Sequence, residues 1–102
     1  MSDNTSGHSM TYKLFQKEYQ VTVSKAEYRN GGTAIQLNDA EDGFPFATAT
    51  TWIEGLAENE VAVKDYSENV GMLDFLVKNG IVQEPHRYVN SGFVNIPICT
   101  LI

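Results

Sequence analysis

An α+β domain is expected from three features of this 102-residue chain. Apolar residues recur with a period of two over most of its length, one segment alone has helical spacing, and turns rich in Gly, Asn or Asp separate the extended runs. A helix laid on antiparallel strands buries a stripe and a face together. The expected architecture is therefore a curled, mainly antiparallel sheet of about six or seven strands, with one helix packed on one face.

Composition sets the outer bounds. With 42% apolar and 20% charged residues, the chain has the make-up of a globular protein. Its length fits one domain. No apolar run reaches the roughly 20 residues that a membrane span requires. Residues 1–10 lack the apolar stretch of a secretory signal, so none is expected. Cys99 is the sole cysteine, which excludes an internal disulfide. A net charge of −6 opposes binding to nucleic-acid phosphates.

Residues 1–10 (MSDNTSGHSM) are polar and are expected to form a disordered leader or tag, leaving residues 11–102 as the domain. Tyr12 and Leu14 flank Lys13, while Tyr19, Val21 and Val23 alternate with Gln20, Thr22 and Ser24. Both runs are strand patterns, joined by a polar turn at residues 16–18. Asn30-Gly31-Gly32 tolerates the positive φ that tight hairpin turns demand. Ile35 and Leu37 then share one face of the next strand, and residues 39–43 make a second, acidic turn. Residues 44–52 (FPFATATTW) read as a single strand rich in Thr and aromatics, with Phe46, Thr48, Thr50 and Trp52 on one face. Pro45 marks its entrance or an edge. A polar connection at residues 53–60 leads to a short strand at residues 61–64.

The helix follows. Ser67 is the expected N-cap, Glu68 sits at the positive end of the dipole, and Val70, Leu73, Leu76 and Val77 line one face. Lys78 falls in the last turn and Gly80 at C′. Gly71 lies inside this helix, at a cost of up to ~1 kcal/mol relative to Ala. Residues 81–82 restart extended chain, Asn90-Ser91-Gly92 turns it, and residues 93–101 form a last strand with Val94, Ile96 and Ile98 aligned. Pro97 assigns that strand to an edge.

Residues 28–37 (YRNGGTAIQL), 41–50 (EDGFPFATAT), 56–73 (LAENEVAVKDYSENVGML), 79–82 (NGIV) and 91–99 (SGFVNIPIC) resemble a family of short uncharacterised proteins carried by bacteriophages, plasmids and other bacterial mobile elements. The resemblance runs over residues 11–102, and Asp65-Tyr66-Ser67-Glu68-Asn69 is its most distinctive part. It implies a small accessory protein of mobile DNA in a bacterial cytoplasm. It transfers no activity, cofactor or residue role.

Charge supplies the candidate site. Residues 39–68 carry eight carboxylates against Lys64 alone, a net −7, and the rest of the chain sums to +1. Asp39, Glu41, Asp42, Glu54, Glu58, Glu60, Asp65 and Glu68, with Tyr66 as an aromatic contact, are the expected surface for docking a basic host or element protein. Inhibition of a host defence system is the sharpest form of that reading. It requires the turn at residues 39–43 to lie near the connection at residues 53–60; otherwise these are solvated loops. Trp52 and Phe44 are expected in the core. No enzyme is expected, because a Cys99–His86 dyad lacks a neighbouring charge to lower the thiol pKa. No metal or cofactor is expected either: zinc spacing is absent, and a calcium-loop template fails at Ala40 and Ala49. An edge-strand homodimer and a small-ligand-binding domain are the alternatives.

Overall fold

The computed structural model describes residues 9–14, 17–29, 31–66 and 69–102. In chain order they form β1 (Met10–Leu14), β2 (Lys17–Glu27), β3 (Thr33–Asp39), β4 (Pro45–Thr48), β5 (Thr50–Thr51), β6 (Glu60–Val63), α1 (Met72–Lys78), β7 (Arg87–Ser91) and β8 (Val94–Thr100). The α+β class and the antiparallel pairing are as expected. The single curled sheet is not: there are two four-stranded sheets, ordered β1-β2-β3-β4 and β5-β6-β8-β7.

The division falls in the middle of the segment expected to be one strand. Ala49 donates its N–H to the Ile35 carbonyl in the first sheet, at 2.8 Å, and accepts from the Lys64 N–H beside the second, also at 2.8 Å. One residue thus hands the chain from sheet to sheet, and its small side chain is fully buried between them. Alternation loses step there, so Thr48 is exposed and Thr50 buried, although both were expected on one face. Pro45 does open an outer strand, and the pairing of β3 with β4 slips between Leu37 and Asn38, as at a bulge.

Both sheets and the helix supply one core. Tyr12, Val21, Ile35 and Leu37 meet Val61, Val63 and Cys99 from the second sheet, and Met72, Phe75 and Leu76 from the helix. Each such side chain contributes roughly 1.5–3 kcal/mol on leaving water. Tyr12 joins the layers: its ring stands edge-on to Phe75 at 5.4 Å and Phe46 at 6.0 Å. Its hydroxyl donates to the Val70 carbonyl at 3.0 Å.

The helix begins later than its spacing implied. Ser67 and Glu68 lie outside the described residues. Asp65 Oδ1 accepts the Leu73 N–H at 2.9 Å, satisfying one of the donors that a helix start leaves open. Gly71 stands just before the helix rather than inside it, in the left-handed region at φ 89°. A side chain there would be strained, and its Cβ would meet the Lys13 carbonyl at 3.4 Å. The other end is as expected: Gly80 donates to the Val77 carbonyl and Ile81 to that of Leu76, the paired bonds of a glycine-terminated helix.

Pro97 misplaces the last strand, because β8 lies between β6 and β7. The two-residue turn at Gly92 and Phe93 makes Ser91–Val94 a hydrogen-bonded pair, and alternation leaves Tyr88–Pro97 a non-bonded one. The Pro97 nitrogen therefore faces β6, whose ladder with β8 has already ended at Ala62–Ile98. No N–H is needed there. Asn90 and Ser91, expected in the turn, are the end of β7. Lys17 and Glu18 likewise belong to β2, opposite Leu14 and Lys13, whereas Gln16 and Asn30 are outside the described residues.

Candidate functional site

The carboxylates separate into three groups. In the turn after β3, Asp39 Oδ1 accepts the N–H of Glu41 at 2.8 Å and of Asp42 at 3.3 Å, and Asp42 Oδ1 accepts that of Phe44 at 3.0 Å. Two of these three acids build the turn, and Glu41 projects from it, exposed. The connection after β5 lies elsewhere. It packs against the turn before β3, where Trp52, Ile53, Gly55, Leu56 and Glu58 share a groove with Tyr28, Gly31, Gly32 and Thr33. Thr33 and Asp39 are opposite ends of β3, roughly 20 Å apart at 3.3 Å per residue. Asp39, Glu41 and Asp42 therefore do not converge with Glu54 and Glu58 into one face. Asp65 is a third location, at the helix start in a shallow cleft with Asp74 and Glu84. Glu68 lies outside the described residues.

Glu60 is already partnered. Its Oε1 accepts Arg87 Nη2 at 2.8 Å and the Ala57 N–H at 2.9 Å, and its Oε2 is 2.6 Å from His86 Nε2. The Arg87 guanidinium first, then the Ala57 amide and His86, hold this carboxyl down at about 2. The cluster fastens the connection across the outer face of the second sheet, where Ile53, Leu56 and Tyr66 pack on Ala62, Ile96 and Ile98. Tyr66 is thus half-buried under this second cluster and is not a free contact.

Cys99 and His86 form no dyad. Cys99 is buried in the core between the sheets, and burial pushes its thiol up to about 11. His86 lies on the other side of β8, with Nδ1 3.5 Å from Thr100 Oγ1. Adjacent strand residues point to opposite faces, which separates the pair.

What stays open is the groove. Trp52, expected in the core, is 39% exposed; Phe44, also expected there, is 69% exposed at the acidic turn. Glu54 and Glu58 are exposed and take part in no ion pair among the described residues. The groove holds about 280 Å³. Tyr28 is fixed in it by a 2.8 Å hydrogen bond between its hydroxyl and Thr50 Oγ1, which also accepts the Ile35 N–H. Gly31 and Gly32 have φ near 90° and nothing within 4 Å of where a Cβ would stand, so the floor is bare backbone. An indole and a phenol beside a carboxylate suit a cationic side chain, through ring faces and charge together. Sequence position alone hid this site, because Tyr28 and Glu58 are brought together only by folding.

Among the described residues no helix is long and apolar enough to cross a membrane. The chain matches no protein-family model, no curated protein and no solved structure.

Proposed function

We propose that the protein is a non-enzymatic binding domain that docks a Lys- or Arg-bearing segment of a basic partner in the groove between the β2–β3 turn and residues 52–58. The observation that carries this reading is Trp52, exposed on the groove that Glu58 also lines, a carboxylate in no ion pair among the described residues. Tryptophan in such a setting is a favoured interface anchor. The reading narrows the acidic docking face: Asp39, Asp42 and Asp65 serve backbone amides and Glu60 serves Arg87, leaving a smaller surface centred on one aromatic. The setting, an accessory protein of a bacterial mobile element acting on a host or element protein in the cytoplasm, rests on the likeness of the segments quoted above. Inhibition of a host defence protein is its sharpest form.

Trp52 is the sole tryptophan of the chain, so its fluorescence reports on the groove directly. Titration with a short Lys- and Arg-rich peptide is expected to shift or quench that emission to saturation, with affinity falling as salt rises. The paired change Glu54→Lys and Glu58→Lys abolishes the response while leaving the melting temperature within a few degrees. An unchanged emission, or an equal response to a Glu-rich peptide, overturns the reading.

A further inference from the structure

Each sheet has two outer strands, and they are unequally protected. β4 opens with Pro45 and is bulged, β5 has only two residues, and β1 carries Lys13. Proline, bulges, shortness and lysine are the devices that keep an edge from pairing with another chain. β7 has none of them. Its five residues are Arg87, Tyr88, Val89, Asn90 and Ser91, with β8 as the one neighbour among the described residues. Its only charge, Arg87, is already held by Glu60.

We infer that β7 pairs antiparallel with β7 of a second copy of this chain, about a twofold axis through Val89, joining two second sheets into one of eight strands. Three observations converge on it. The first is register. Ser91, Val89 and Arg87 form the bonded pairs with β8, so the free N–H and C=O groups on the outer side belong to Tyr88 and Asn90. A twofold at Val89 sets Tyr88 opposite Asn90 of the second copy, and the converse, so those free groups satisfy one another. The second is charge. Two chains of net −6 repel, yet residues 85–102 contain no Asp or Glu at all. In the twofold register Arg87 faces neutral Ser91, and no like charges are opposed. The third is exposed apolar surface. Tyr88 is 59% exposed and Phe93, at the hairpin tip, fully so. The same register carries Phe93 over Pro85 and His86 of the second copy.

A contact this short buries little area, so the dimer is weak, with a dissociation constant on the order of micromolar. Sedimentation velocity across a concentration series of the full chain is expected to show a monomer–dimer equilibrium. Ser91→Arg sets arginine against Arg87 twice across the axis and weakens the dimer roughly tenfold or more, whereas Ser91→Glu strengthens it. Asn90→Pro removes an outward N–H that the monomer does not use, and abolishes dimerisation; circular dichroism checks that it still folds, and the exposed Ser91 changes decide the matter if it does not. A chain that stays monomeric at millimolar concentration overturns the inference. So does a dimer that responds equally to both Ser91 changes.

Discussion

The outer faces of the two sheets solve the same problem in opposite ways. On the first sheet the outward side chains are polar and bond across strands. Gln20 Nε2 donates to Thr11 Oγ1 at 2.9 Å, Asn38 Nδ2 to Ser24 Oγ at 3.1 Å, and Thr48 Oγ1 to Gln36 Oε1 at 3.0 Å. Water can replace any of these bonds. On the second sheet the outward residues Ala62, Ile96 and Ile98 are apolar and buried, and must be covered. The cover is a connection with almost no regular structure, held down by Glu60, Arg87 and His86. A wet face can thus be left to its own side chains, whereas a dry face built by a loop depends on an electrostatic clasp.

Three substitutions test that contrast. Ile98→Ala, on the covered face, has the largest expected effect: a loss of about 2–5 kcal/mol, from the missing transfer energy and the cavity left behind, measured by urea denaturation. Glu60→Gln comes next and has a pH signature. The carboxyl sits at about 2 in the folded protein against an ordinary 4.5, so its stabilising effect is complete above about pH 4.5 and fades as pH falls toward about 2. Wild type should melt above Glu60→Gln near neutral pH, and the gap should close through that acidic window. Gln20→Ala, on the wet face, has the smallest effect, within ~0.5 kcal/mol. If Gln20→Ala were as damaging as Ile98→Ala, or the Glu60→Gln gap ignored pH, the contrast between the faces would be lost.

The same contrast explains what could be read from sequence. The β2 and β3 strands were legible because a sheet with one wet face alternates, and Val21, Ile35 and Leu37 lie where that period puts them. The helix end was legible because the glycine termination is local. β8 was legible in its facing but not in its place: Val94, Ile96 and Ile98 share one face as their spacing predicts, whereas Pro97 pointed to an edge and the strand is central. The sheet change at Ala49 was hidden because the Ala47-Thr48-Ala49-Thr50 alternation continues through it without a break. For the site, counting carboxylates located the right segments and misjudged their availability. Glu60 finds its partners 26 and 27 positions away and Asp65 an amide eight positions away, whereas Asp39 and Asp42 bond amides two residues on, the local bonds of an acidic turn.

Ala49 also governs how the molecule comes apart. Its amide belongs to one sheet and its carbonyl to the other, and its methyl is sealed in the core they share. Neither layer can peel away without breaking one of those bonds and flooding the side chain with solvent. The protein should therefore melt as one cooperative unit, with the Ala49 amide among the last to exchange with deuterated water.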